Sequence, residues 1–559
     1  MLALAASALL TLPPVVANIR DGIPFNSPSN ILIADEWFYF ARIHEVLDGY
    51  PLIGNAYLWE HKAKPPSPVF LGEYLAAEPL KWLGIGVVAG GVLYDAIFPA
   101  IHVLLLYACL FAICRLRWLS FLGALFIVGG FSLSDLSRVV SPQLNFLFWL
   151  SEFLLLFLLV SKFEAGGAKQ RRLLIALAAF NFGLLFSLYT YYAVFYLAFL
   201  GIAASLFAAR RMFREATTFA MIAVGGLIAA IPYFALMARA FQLPEYAETL
   251  WRVGMIATRF PSGIAIVIPG AFMLGFMAFL VRRRVLGWDR AAILFASGVL
   301  AAMVSVNQHI ITGKNLEFSS HFFMPAIYWF AFTGAWIALG IMARAGDLRK
   351  PIAAALMIAV AAFVLFERRD FAPLTGGSLA YAERNRGQEL MTWLSRNTER
   401  DDVVYAPSVA SEIPIYTQAN VYFSNAARFS FIPTEELMDR FILSHYFEPI
   451  DRDFVVANLR SVYGVGFIDE ALHTQQENRV RRVLGLAPKP VVMIPEDLVE
   501  RVMARARELR RADFERELKR YRVDYLVWDA RASARDPFVR LAFAEPVGEV
   551  GTFKIYRVR

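Results

Sequence analysis

Asp35 and Glu36 stand side by side at the head of the segment Ala34-Asp35-Glu36-Trp37-Phe38-Tyr39-Phe40-Ala41-Arg42-Ile43-His44-Glu45-Val46-Leu47-Asp48-Gly49. A carboxylate held near a hydroxyl can take its proton as that hydroxyl attacks. Further along, His61-Lys62-Ala63-Lys64-Pro65-Pro66-Ser67-Pro68 places two lysines and a histidine in a stretch that its prolines keep extended. Immobilised ammonium groups are phosphate partners. A base and a set of cations together suit a displacement that releases a phosphate. Each half has a plainer reading as well. Acidic residues at a helix start complement the helix dipole, and lysines beside a membrane meet lipid headgroups.

The elements that must position these groups are mostly apolar. Of 559 residues, 58% are hydrophobic, 14% aromatic and 18% charged, whereas a soluble domain has about 45–50% apolar and about 25% charged residues. Long apolar runs fill residues 1–369, and residues 370–559 read like an ordinary soluble domain. This distribution excludes a simple soluble enzyme and a disordered or fibrous protein. The net charge of +8 divides as unevenly: 28 Lys and Arg against 19 Asp and Glu before residue 370, and 27 against 28 after it. The basic excess therefore reports loop topology, not nucleic-acid binding. The two cysteines, Cys109 and Cys114, lie in or at the end of an apolar run, so no disulfide framework supports the soluble part.

Eleven apolar runs approach the length of about 20 residues that crosses a bilayer. They fall near residues 2–18, 87–113, 118–134, 142–161, 173–188, 190–209, 216–237, 262–281, 291–310, 322–342 and 351–367. No basic stretch precedes the first, which favours an uncleaved span over a signal peptide. One set of alternate loops carries 16 Lys and Arg, the opposite short loops five. Positive residues stay on the cytoplasmic side. The N-terminus is thus expected inside, with the loop 19–86 and the domain 370–559 outside. The fold class expected is an α-helical polytopic membrane protein of about 11 transmembrane helices with a C-terminal α/β soluble domain, in the inner (plasma) membrane.

Apolar residues at 37, 38, 40, 43, 46 and 47 mark one face of a helix. That helix is expected to lie in the membrane interface with its aromatic residues facing lipid. Other outer loops add candidates. Arg138 opens the fourth span, and Arg252 and Arg259 suit phosphate oxygens, although Arg and Trp also anchor interfaces. The loop 307–321 holds His309, Lys314, Glu317 and His321. Its histidines are too far apart for a dense metal site, so His309 and Lys314 are assigned to a donor phosphate. Tyr39, Tyr191, Glu317 and His321 are assigned to the substrate cavity. The tract Tyr189-Thr190-Tyr191-Tyr192 suits a sugar by stacking or an aromatic belt.

The order Ala-Asp-Glu, an aromatic helix ending in Gly, a spacer, then Lys-Pro-Pro before an apolar span resembles the protein O-mannosyltransferase and aminoarabinose transferase type. Those belong to the GT-C superfamily of membrane glycosyltransferases. The resemblance is sharpest over residues 31–85. It implies a GT-C-like bundle and transfer of a sugar from a polyprenyl-phosphate-linked donor to a glycan, lipid or protein acceptor. It further implies Asp35 as catalytic base with Glu36 beside it, and Lys64 on the lipid phosphate, supported by Lys62 and His61. A divalent cation such as magnesium or manganese fits the type. However, Ala63 stands where the family often has an acid, so the metal ligands stay open.

Two acids, Asp95 and Glu152, fall inside spans. Contacts to Asn145 or His102 are expected for them in preference to proton-coupled transport. In the soluble part, strands are expected at 403–406, 421–423, 523–528 and 553–558, with helices at 408–416 and 496–521. It shows neither a phosphate-binding glycine loop nor a nucleophile elbow, and fits a cover over the site mouth, an acceptor selector or a structural cap. The alternatives to a sugar transferase are a non-catalytic membrane subunit or transporter, and a lipid-linked oligosaccharide polymerase or ligase.

Overall fold

The computed structural model describes residues 1–31, 33–62, 64–65, 69–163, 167–316, 319–369, 385–531 and 535–559. Each of the eleven apolar runs coincides with helix, but the runs are not equal. Among the described residues, seven helices are long and apolar enough to cross a membrane. The pair Phe213–Ala229 and Ile231–Ala240, bent by 52°, makes an eighth if taken as one span. Arg117–Ser132, Asn145–Ser161 and Arg290–Ser305 are shorter apolar helices; the first of them is the third run, 118–134. The first of these three widens into a π-turn over Val128–Ser132. There Gly129 and Gly130 leave room for Val364 and Phe363 of the last apolar helix, which would meet an added Cβ at 2.8 and 2.4 Å.

Aromatic residues fill the bundle core. Trp149, Phe153, Trp329 and Phe332 are fully buried, and the rings of Phe153 and Phe332 stack at 4.1 Å. Trp329 lies so close over Gly298 that a Cβ there would stand 1.6 Å from the indole. Asp95 and Glu152 are buried in this bundle, but their partners are Gln143 at 2.7 Å and Asn181 at 2.9 Å. The expected partners are engaged elsewhere: Asn145 donates to the Leu188 carbonyl, and His102 meets the Tyr328 hydroxyl.

A second hydrophobic core joins the first long loop to the C-terminal domain. Ile31, Phe40, Ile43, Tyr57 and Leu58 belong to the same buried cluster as Val404, Tyr422, Phe441 and Leu526. The helix Ala34–Leu47 therefore packs on protein, with Phe40 against Gly91 and Phe38 edge-on to Phe429 at 5.5 Å. This overturns the expectation that its aromatic face meets lipid. Burial between bundle and domain satisfies the same apolar face that an interfacial helix would give to a membrane.

The domain contains a five-stranded sheet ordered β2-β1-β3-β5-β4, with β1 Val403–Tyr405, β2 Asn420–Val421, β3 Tyr525–Asp529, β4 Ala544–Val550 and β5 Phe553–Val558. β1 runs parallel to β2 and β3, and β5 is antiparallel to β3 and β4. The expected helix 496–521 divides into Glu496–Arg511 and Phe514–Leu518. Val499, Val502, Ala506 and Leu509 give the first part its buried stripe. Asp513 then accepts the Arg516 amide at 2.8 Å and starts the second.

Candidate functional site

Asp35 and Glu36 share the first turn of their helix but do different things. Glu36 is 4% exposed, and its carboxylate accepts the Ile33 amide at 3.0 Å, a helix-capping bond. The Asp35 side chain is 55% exposed and accepts from Arg138 Nη2 at 2.7 Å. The plainer capping reading thus belongs to Glu36, and the open carboxylate is Asp35. Arg138 also lies 3.8 Å from Asp135. Burial disfavours the Arg138 charge, but Tyr39, Asp35 and Asp135 outweigh it and raise its pKa. Burial raises the Asp135 pKa, against the pull of Arg138 and Arg368.

Arg138 is held by the loop between the π-turn and the helix Asn145–Ser161. Gln143 is fully buried beneath it, with Nε2 donating to Asp95 Oδ1 at 2.7 Å and to the Leu136 carbonyl at 2.8 Å. The Gln143 amide donates to the Arg138 carbonyl at 3.2 Å. One side of this loop faces a cavity of about 310 Å³, lined by Arg138, Asp135, Ser141, Tyr189, Tyr192 and His321, with Ser132 and Tyr328 also in its wall. That volume lies near the lower end of about 300–1,000 Å³ for small-ligand sites. Tyr328 accepts or donates to Ser132 at 2.9 Å and to His102 at 2.6 Å, which keeps its polar end satisfied. Phe323, Met324 and Ile327 make another part apolar. Polar and aromatic surface beside a guanidinium suits a sugar linked to a phosphate.

The other expected site residues divide clearly. His321 lines the cavity and is hydrogen-bonded to Tyr189. Tyr191 stacks on His321 at 4.3 Å, behind it and not in the cavity wall. Tyr39 is beside the ion pair, and burial, with Glu73 next, pushes its hydroxyl pKa up. Glu317 lies outside the described residues, as do Ala63 and residues 66–68 of the proline stretch.

The expected phosphate cluster is occupied by carboxylates. Lys62 pairs with buried Glu45 at 2.6 Å, His61 with Glu436 at 2.9 Å, and Lys64 with Glu245, reaching the Phe431 carbonyl at 3.5 Å. None of the three lines the cavity. The three acids come from three places: Glu45 from the helix Ala34–Leu47, Glu245 from the start of the helix Tyr246–Arg252, and Glu436 from the C-terminal domain. Arg252, fully buried, holds carbonyls of Arg428 and Ser430 and hydroxyls of Thr249 and Thr434. Arg259 caps the Ile310 and Ile311 carbonyls. His309 is buried against the Phe260 carbonyl at 2.7 Å, and Lys314 sits exposed in a bridge to Ala257. These four stiffen and dock loops away from the cavity. Asp135, Ser132, Tyr328 and Gln143 were not expected. Ser132 and Asp135 have a signal in the polar island Ser132-Leu133-Ser134-Asp135-Leu136-Ser137-Arg138 between two apolar runs, whereas Gln143 and Tyr328 lie outside it and have none.

Solved structures that resemble the chain include three of the oligosaccharyltransferase of Archaeoglobus fulgidus. The apo form aligns with 95% of this chain and 69% of its own length, at 13% identity and a TM-score of 0.42. The complex with zinc and sulfate aligns with 75% and 61%, at 14% identity and 0.41. AglB with an inhibitory peptide and a dolichol-phosphate aligns with 100% and 73%, at 13% identity and 0.43. A likeness of this degree carries no argument, so the chemistry rests on the side chains themselves. No family model and no curated protein matches the chain.

Among the described residues no three His, Cys, Asp or Glu side chains converge on one position. The two carboxylates nearest the cavity mouth, Asp35 and Asp135, both face the Arg138 guanidinium, which already supplies their positive charge.

Proposed function

We propose that this protein transfers a sugar from a polyprenyl-phosphate donor to an acceptor hydroxyl or amide at the outer rim of the membrane. The observation that carries this reading is the exposed Asp35 carboxylate, bound to Arg138 at the wall of the polar and aromatic cavity. The sugar would occupy that cavity between Tyr189, Tyr192 and His321. The donor phosphate would take the Arg138 guanidinium, whose planar fork matches phosphate oxygens. Arg138 would then release Asp35 to act as base.

Bond changes balance in one displacement. The acceptor atom bonds to the anomeric carbon as the bond from that carbon to the phosphate oxygen breaks. The electron pair leaves on the phosphate, where Arg138 stabilises it, and Asp35 takes the acceptor proton. Backside attack inverts the anomeric centre. The inside N-terminus, the C-terminal domain as a cover that selects the acceptor, and the division at residue 369/370 belong to this same proposal. Lys64 keeps 27% of its side chain accessible and would meet the donor only by leaving Glu245.

The test is transfer from a radiolabelled polyprenyl-phosphate sugar by the chain reconstituted in liposomes. Asp35→Asn should lower kcat by about 10²–10⁴ with little change in donor KM. Arg138→Ala should raise donor KM as well. Undiminished turnover in Asp35→Asn removes the proposed base.

A further inference from the structure

The C-terminal domain carries an ordered apolar and basic loop that nothing in the transfer chemistry uses. Residues 479–495 read Arg-Val-Arg-Arg-Val-Leu-Gly-Leu-Ala-Pro-Lys-Pro-Val-Val-Met-Ile-Pro, with four basic residues and no acid. Val483, Leu484, Leu486, Val492, Met493 and Ile494 are between 44% and 85% exposed. The loop is nevertheless folded. Asn478 exchanges two hydrogen bonds with the Lys489 backbone, at 2.8 and 2.7 Å. Arg481 Nε donates to the Ala487 carbonyl at 2.7 Å, and the Leu486 amide to the Arg481 carbonyl at 2.8 Å. Such a contiguous apolar surface marks an interaction site.

Its position follows from the helix that leads into it, Gly466–Val483. That helix rests on the loops that face the domain. The Val465 amide donates to the Arg252 carbonyl at 2.8 Å, and the Trp251 indole to Glu470 at 2.7 Å. Three residues on, His473 meets Asn315 at 3.3 Å. The two supporting loops adjoin, since the Asn315 amide donates to the Ile256 carbonyl at 2.8 Å. The helix thus lies across the bundle face, and its end at Val483 stands about 15 Å beyond His473 at about 1.5 Å per residue. Ile310 and Ile311, on the supporting loop itself, are 40% and 75% exposed, so the apolar surface continues along that rim.

Charge decides the occupant. Glu477 pairs with Arg481 and Lys489, but Arg479 and Arg482 form no ion pair with any described residue. A second copy meeting this patch symmetrically would set like charges against each other. Apolar side chains flanked by arginines fit the headgroup and acyl boundary of a bilayer that contains anionic lipid. We infer that the end of the helix Gly466–Val483 and the loop 484–494 form a membrane-interface anchor that seats the C-terminal domain on anionic phospholipid.

The full chain in nanodiscs tests this, independently of turnover. Cys109 and Cys114 are buried, so an environment-sensitive fluorophore goes to a single introduced cysteine, with the unsubstituted chain as blank. Val483→Cys and Met493→Cys should show blue-shifted emission and several-fold stronger quenching by nitroxide-labelled lipids than Val547→Cys on β4, the sheet edge opposite β2. Adding phosphatidylglycerol to phosphatidylcholine should strengthen the quenching, and Arg479→Gln with Arg482→Gln should abolish that gain. Equal quenching at all three positions overturns the anchor. So does an emission shift that appears only when two copies share a disc, which assigns the patch to self-association, or quenching indifferent to phosphatidylglycerol, which leaves the arginines without a role.

Discussion

Gln143 binds Asp95 from directly beneath the loop that carries Arg138, at 2.7 Å and with both side chains buried. The same amide nitrogen donates to the Leu136 carbonyl, so one side chain ties the loop to the helix Val87–Cys114 and to itself. Arg138 reaches Asp35 only if that loop keeps its shape. The buried acid inside a span thereby supports the loop that carries the ion pair.

Removing this tie should act on the site from a distance. Gln143→Leu leaves the Asp95 carboxylate and the Leu136 carbonyl without a donor. Each unsatisfied buried group costs about 1–3 kcal/mol. Asp95→Asn keeps an acceptor oxygen and should be mild, whereas Asp95→Leu should resemble Gln143→Leu. Thermal unfolding and donor KM, measured together on the three variants, check the argument. A supporting role shows as a rise in donor KM for Asp95→Leu that Asp95→Asn does not share.

Glu412 gives the C-terminal domain a pH dependence of defined sign. Burial raises its pKa from 4.5 to about 7, against a smaller pull from Arg386, and its Oε2 has no hydrogen-bond partner. As pH rises from 4.5 to 7, the unfolded chain releases this proton while the folded chain retains it. Stability therefore falls across that window and stays lower above it. The change is roughly 1–3 kcal/mol, since one pKa unit is about 1.4 kcal/mol. Glu412→Gln should flatten the profile and raise the unfolding midpoint at pH 8. Parallel midpoint curves for the two proteins between pH 4.5 and 8 would show that the ionisation lies elsewhere.

What could be read from sequence follows the range of the forces involved. Hydrophobic runs of bilayer length are local, so all eleven helical segments were legible, although the break into the π-turn at Gly129-Gly130 depends on Phe363 and Val364, more than two hundred residues away. Asp35 stood out as an acid at the head of an aromatic helical face, a local pattern, while its assignment as base came from the family resemblance. Its partner was legible only as one arginine among several. The pairing of Lys64 with Glu245, 181 residues away in the membrane part, was not legible, and neither was that of His61 with Glu436, which arises when the C-terminal domain closes over the first long loop. The same closure buried the aromatic face of Ala34–Leu47, whose pattern is identical for a lipid and a protein neighbour. β4 escaped notice because Ala544-Glu545-Pro546-Val547-Gly548 lacks the alternation of a buried strand, being an exposed edge.

Arg252 is the residue whose loss should separate the domain from the bundle. Burial lowers its pKa to about 10, with Glu248 and Glu245 acting the other way. The desolvated guanidinium is offset by four donated bonds, which reach Thr249 on its own helix and Arg428, Ser430 and Thr434 of the C-terminal domain. Arg252→Ala would leave the Arg428 and Ser430 carbonyls unpaired at a dry contact, at about 1–3 kcal/mol each. Arg252→Lys should rescue little, because a single ammonium cannot span the positions that the planar fork reaches. The expected signature is local: faster amide exchange over residues 425–434 and 246–254, with strands β1 and β3 unchanged. Protection lost evenly across the whole domain would instead mean that Arg252 supports the domain fold, not its attachment.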